Sequence, residues 1–309
     1  MGRRRGCRSK TRVQRTDYSM KKLITKSFLV SGALLLAFIV GTQSSAQVNP
    51  QAQTPATNAT QNTPAPVVAE ESPKLLTNYI ESGGDYLQLN NNYGSWAGGY
   101  ARSAYERGSN VWNGEVNGQR EFGDKGVYLA AGDTHTFSED WYGAVTVGSS
   151  VQGFFWPRFR VDAFANRKLL ARKQWIATVG YGYYAAKDVH RNQDVYLGST
   201  YYLTKPWIIE EGLYLGISNP GGVFAPAGFV AVTQGANKHH YVTARVGLGE
   251  EGYQLVGPTV TLAKFQSQAL TGTYRKWIGT NWGFNLVGDY YHNPYYSRGG
   301  TTLGLFKDF

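Results

Sequence analysis

Residues 79–309 hold no apolar run of membrane-helix length, yet they divide into segments of about ten residues in which polar and apolar side chains alternate. A period of two places successive side chains on opposite faces of an extended strand. In 109–121, Asn113, Glu115, Asn117, Gln119 and Glu121 share one side, opposite Trp112, Gly114, Val116 and Gly118. In 155–165, Arg158, Arg160 and Asp162 oppose Phe159, Val161 and Ala163. In 237–248, Thr243 and Arg245 oppose Val242, Ala244, Val246 and Leu248; in 281–291, Asn281, Asn285 and Asp289 oppose Trp282, Phe284, Leu286 and Tyr290. Lipid offers no partner to a backbone N–H or C=O, so such strands span a bilayer only as a closed barrel. An Arg or Lys on the lipid face at mid-membrane costs about 2–4 kcal/mol, which turns the charged faces inward.

The expected fold is therefore all-β, a closed antiparallel transmembrane barrel. Strands are expected near 84–90, 96–106, 109–121, 125–136, 140–149, 155–165, 171–184, 194–204, 206–217, 223–234, 237–248, 266–277, 281–291 and 299–309. That is an even number, 14. A spacing of about 16 residues per strand is tight and also admits 12. With both termini periplasmic, the longer connections should face outside, and 149–154, 185–193, 249–265 and 292–298 all fall in that set. The connection 166–170 breaks the rule by being moderately long on the other side. Trp96, Trp112, Trp141, Trp175, Trp207, Trp277 and Trp282 lie near strand ends, where an interfacial aromatic girdle would place them.

The C-terminus points the same way. Leu303, Leu305 and Phe309 share one face of the last segment, while Gly304, Phe306 and Asp308 share the other. Soluble chains usually finish in a frayed polar tail. A terminal aromatic at strand period fits the assembly signal of an outer-membrane barrel, with Phe309 as the residue read by the barrel assembly machinery. Lys307 departs from the pattern by falling on the lipid face, from which its long side chain can snorkel to the interface.

At the other end, Met20-Lys21-Lys22, an apolar core over 28–41 and Ser44-Ser45-Ala46 form a secretory signal peptide. Residues 1–46 are thus expected to be a start-site extension plus a cleaved signal peptide. Residues 47–77, rich in Gln, Ala, Thr and Pro, are a disordered periplasmic linker, and 78–309 are the barrel. Residues 1–46 carry ten Lys/Arg and one acid; removing these from 31 and 21 leaves 21 Lys/Arg and 20 Asp/Glu, a net charge of +1. The basic pI therefore gives no reason to expect a nucleic-acid partner. Cys7, the one cysteine, lies in the part that is lost, which excludes thiolate zinc sites and a lipoprotein anchor.

The candidate site is the set of charges assigned to the lumen: Arg102, Glu106, Glu115, Glu121, Arg158, Arg160, Asp162, Glu210, Arg245, Arg275 and Asp289. Opposed acidic and basic walls would make a selective pore. Alternatively, opposite charges pair and fill the interior, because 12 to 14 strands fall between filled eight-stranded and open sixteen-stranded barrels. His239 and His240 occupy adjacent positions, so in a strand they would point apart and could not share a metal. Asp289, His292 and Ser297 are the nearest approach to a lipid-hydrolase set, and no G-x-S-x-G elbow accompanies them. No catalysis and no cofactor are expected.

Asp85-Tyr86, Asn92-Tyr93-Gly94-Ser95-Trp96 and Tyr274-Arg275-Lys276-Trp277-Ile278-Gly279 with Trp282-Gly283 resemble the YaiO family of outer-membrane proteins. Tyr290 through Arg298, then Leu303-Gly304-Leu305-Phe306, resemble the end of the same domain. The resemblance implies a surface-exposed barrel and supplies no catalytic residues. Some relatives carry helical repeats and sit with polysaccharide systems, whereas this chain has only the low-complexity linker. The expected function is an outer-membrane pore or export-assisting barrel for polar solutes or polysaccharide. The alternatives are a closed structural or surface-interaction barrel working through 185–193, 249–265 and 292–298, and a lipid-modifying enzyme. The expected partners are outer-membrane lipid and lipopolysaccharide, with the barrel itself a monomer.

Overall fold

The computed structural model describes residues 78–203 and 206–309, so the signal peptide, the linker and Cys7 lie outside the described residues. Within them the chain forms fourteen strands: β1 (Tyr79–Leu89), β2 (Ser95–Arg107), β3 (Asn110–Glu121), β4 (Asp124–Thr136), β5 (Trp141–Gln152), β6 (Phe159–Leu169) and β7 (Trp175–Ala185), then β8 (Arg191–Tyr202), β9 (Trp207–Asn219), β10 (Val223–Ala236), β11 (His240–Leu255), β12 (Thr261–Trp277), β13 (Trp282–His292) and β14 (Ser297–Asp308). Each pairs antiparallel with its neighbours in sequence, and β14 returns to β1, Tyr79 opposite Asp308, to close the barrel. An even strand number brings Tyr79 and Asp308 to one end, here called the terminal end; the other is the mouth. Closure pairs every strand on both sides around the wall, as the hydrocarbon layer demands, and only strand ends at the mouth, chiefly those of β11 and β12, run beyond their neighbours.

Fourteen strands were expected and fourteen form, with three informative shifts. The first strand begins at Tyr79 rather than residue 84. The sixth covers Phe159–Leu169 rather than 155–165, so the connection after it is 170–174 instead of 166–170. Phe155 and Trp156 are buried within the mouth instead of joining the sheet, and Pro157 has no N–H to give to a ladder. The span 249–265 is not a loop: β11 and β12 continue through it and leave only 256–260 as the connection.

Faces follow the period. Val116, Leu129, Val145, Val147, Val179 and Val246 are exposed on the outer wall, while the intervening polar positions are sheltered. Arginine in place of Val147 is expected to cost about 2–4 kcal/mol, read by urea unfolding in lipid vesicles. A loss near zero would mean that this face is not in the membrane.

The tryptophans require a correction. Trp112, Trp141, Trp175, Trp207 and Trp282 are exposed on the outer wall, each at or near the start of an odd-numbered strand, and so form a girdle at the terminal end. Trp96 and Trp277, at 0% and 4% exposure, are inside the barrel. Trp96 shares the parity of Arg102 in β2, and Trp277 that of Arg275 in β12, so period decides their side more firmly than nearness to a strand end.

Candidate functional site

A carboxylate that the sequence reading passed over organises the lumen. Glu81 lies two residues inside β1, on the face of Tyr79, Gly83, Asp85 and Leu87. Its side chain is wholly enclosed and meets Arg102 Nη2 at 2.6 Å and Arg275 Nη1 at 2.8 Å. The Tyr100 hydroxyl donates to Glu81 Oε1 at 2.8 Å, and Asn285 Nδ2 lies 3.3 Å from the same oxygen. Arg275 comes from β12 and must pass over β13 and β14 to reach β1; its guanidinium lies 3.6 Å from the Phe306 ring centroid. Arg102 also stands directly across the β2–β3 ladder from Glu115, so charges alternate along the row Glu81, Arg102, Glu115. Starting the first strand at residue 84 hid Glu81, although the alternation from Tyr79 onward carried the signal.

The wall opposite this hub is lined differently. Arg160 holds its neighbour on the same face, Asp162, through Nε at 2.6 Å and Nη2 at 3.0 Å, and the two side chains stay 16% and 14% exposed. Asp194 accepts from Asn192 Nδ2 at 2.8 Å. Ala231 pairs with both Glu210 and Arg245, which places those two charges on either side of one lumen-facing position. Arg245 lies 3.6 Å over Phe229, and the Tyr196 and Tyr214 rings are 4.6 Å apart. These rings lie along the wall because glycines leave room for them. A Cβ at Gly148 would meet Tyr128 at 2.0 Å, one at Gly198 would meet Tyr196 at 2.3 Å, and one at Gly180 would meet Phe164 at 2.4 Å.

Toward the mouth the interior becomes aromatic. Leu87, Leu89, Trp96, Tyr291 and Tyr296 form a buried cluster, with Tyr93, Phe122, Val256 and Leu262 packed on it. Arg298 links this cluster to the charged lumen, binding Asp289 at 3.1 Å while its guanidinium lies 4.5 Å from the Trp96 ring. Glu121 is buried at the mouth end of β3, level with Trp96, and Glu251 accepts from Ser267 at 2.8 Å and from the Tyr291 hydroxyl at 2.5 Å. At the turns, Lys187 bonds the carbonyls of Gln152 and Gly153, and its burial there lowers its pKa from the usual value. Lys173, at the terminal end, is raised by its hydrogen bond to Glu139.

Of the expected set, Glu106 faces inward near the terminal end, its backbone N–H bonded to Asn78. Arg102, Glu115 and Arg275 belong to the hub, Arg160, Asp162, Glu210 and Arg245 to the opposite wall, and Asp289 and Glu121 to the mouth end. Arg158 stands apart: it precedes β6 and is exposed. His239 and His240 do not point apart, because His239 sits in a turn; their rings are 4.6 Å from each other. His292 Nδ1 and Ser297 Oγ are 2.8 Å apart near the mouth, but Asp289 faces the lumen and binds Arg298, so it does not complete a relay with them. Among the described residues no group of three or more His, Cys, Asp or Glu is placed to hold a metal.

None of the curated proteins shows significant sequence similarity to the chain. Among solved structures, the CymD monoaromatic hydrocarbon channel matches with a TM-score of 0.52 at 7% identity, over 76% of this chain and 89% of that one. A bacterial polysaccharide outer membrane secretin gives 0.46 at 8% identity, over 76% and 100%. Omp33 of Acinetobacter baumannii gives 0.44 at 11% identity, over 76% and 99%. At these identities the likeness to the first is one of fold. The model of the YaiO membrane beta barrel domain matches residues 77–254, which takes in the first of the resembling segments and stops short of those from Tyr274 onward. With more than half of its length matched, this chain belongs to the YaiO family of outer-membrane β-barrels.

Proposed function

We propose that the barrel is a narrow channel that passes, or helps export, a small polar solute or a polysaccharide strand across the outer membrane. The observation that supports it most is the wall from β4 to β11. Its tyrosines lie flat over glycines and leave Arg160, Asp162 and Arg245 partly accessible, as are Arg275 and Asp289 on the other side, whereas Glu81 and Arg102 are buried. A polar wall of both signs that is not filled by its own side chains suits solute passage. In this reading the chain is exported through a cleaved signal peptide, is folded by the barrel assembly machinery reading Phe309, and works as a monomer without chemistry of its own.

The test is single-channel conductance of the protein in a planar bilayer under a salt gradient. Steady conductance with an ion preference is the expected result. Removing Arg160 and Arg245 together should raise cation over anion permeability by roughly two-fold or more, because Asp162, Asp194 and Glu210 then dominate the wall. Arg158→Ala alone should leave selectivity unchanged. A second reading, a closed barrel that acts through its mouth, draws on the aromatic cluster around Trp96 and Tyr296. Silence from protein shown to be folded by circular dichroism would favour it.

A further inference from the structure

The pairing of β11 stops at Gly249 on its β10 side, and that of β12 begins only at Gln268 on its β13 side. Residues 250–266 are therefore a two-stranded ladder with no sheet partner on either flank. Such a ladder would normally stand away from a barrel as an extended hairpin. This one bends inward. Its own ladder skips Gly252 and Lys264, and Lys264 takes a left-handed φ of 42°, a backbone state that a side-chain-bearing residue adopts only under constraint. Beyond that break the hairpin leans past the end of β10 toward β9. A Cβ on Gly252 would lie 2.3 Å from Ser218 Oγ and 2.5 Å from Ser218 Cβ. Tyr253 OH donates to the Pro220 carbonyl at 2.6 Å, Gln254 Nε2 reaches Tyr296 OH at 2.5 Å, and Val256 and Leu262 rest on the aromatic cluster.

We infer that residues 250–266 are a lid, hinged at Gly252 and Lys264, whose inward position closes the mouth and whose release opens it. The inference rests on the channel reading. Three features carry it together. The flanks hold no sheet bonds that opening would break, the hinge lies at the one interrupted rung, and beyond it the closed state is held by contacts of Tyr253 with Pro220 and His190, of Gln254 with Tyr296, and of Val256 and Leu262 with the aromatic cluster. Closure needs Gly252 because only a residue without Cβ lets the hairpin approach Ser218. Segments that move are drawn from the least paired parts of a fold, and this ladder is such a part.

The decisive experiment compares open probability in single-channel records of the full-length protein purified from membranes. Gly252→Ala should push the lid off Ser218 and raise open probability by about ten-fold or more, against which a fall to the wild-type value on adding Ser218→Gly is expected. That rescue separates a lid from general damage, since removing the Ser218 side chain would not repair a misfolded barrel. If the wild type conducts and Gly252→Ala leaves open probability unchanged, the lid is overturned and the channel stands. If no variant conducts, the channel reading fails, and the lid is judged by labelling. In the exported protein, a cysteine replacing lumen-facing Thr243 should react faster with an external water-soluble maleimide when Gly252→Ala is present. Equal rates would overturn the lid.

Discussion

Glu81→Ala is expected to destabilise the barrel by about 3–5 kcal/mol. Two guanidinium groups, on Arg102 and Arg275, converge on this one carboxylate, which is fully enclosed. Removing it leaves both cations facing each other in a poorly solvated interior, so the loss reflects unpaired charge rather than the value of two salt bridges. Two further results would identify that cause. Glu81→Gln should lose less, because the amide oxygen still accepts hydrogen bonds. A quadruple replacement of Glu81, Arg102, Glu115 and Arg275 by apolar residues of similar volume should recover most of the stability, since no charge of the hub remains. Urea unfolding in lipid vesicles gives each value. A loss below about 1 kcal/mol for Glu81→Ala would mean that water reaches the hub.

The second large effect is expected at Trp96→Ala, about 3–5 kcal/mol by the usual cost of truncating a buried large aromatic. Trp96 has no exposed surface and supports Leu87, Leu89, Tyr291 and Tyr296, which come from three other parts of the chain. Arg298 lies over its ring, so the truncation also removes a cation–π contact. The comparison variant is Trp112→Ala. Trp112 is 52% exposed on the outer wall, and its replacement should cost clearly less. Fluorescence supplies an independent check: a quencher carried on lipid chains should reach Trp112 and not Trp96. Equal quenching would return Trp96 to the girdle and remove the basis for the cluster at the mouth.

These two residues also show how far the sequence could be read. The approximate position of every strand and the inward face of Arg102, Glu115, Arg160 and Arg245 followed from alternation, because side-chain direction in a strand is a local property; the same pattern favoured 14 strands and still admitted 12. Trp96 went to the wrong side only where closeness to a strand end was weighed above parity. Glu81 was missed because Ser82, Gly83 and Gly84 blurred the start of β1. The span 249–265 looked like a loop because its glycines and glutamates mimic turn composition, yet β11 and β12 run on through it.

By itself the sequence determined that the chain forms strands, that they close on themselves, and which face of each meets lipid. Each follows from period two and from the cost of unpaired backbone in hydrocarbon. Only the tertiary structure decided which lumenal groups meet. Glu81 and Arg275 are 194 residues apart, and the hairpin tip meets Tyr296 across β12 and β13. Those contacts depend on the register accumulated around the whole circumference, a sum over all the pairings that no local pattern contains.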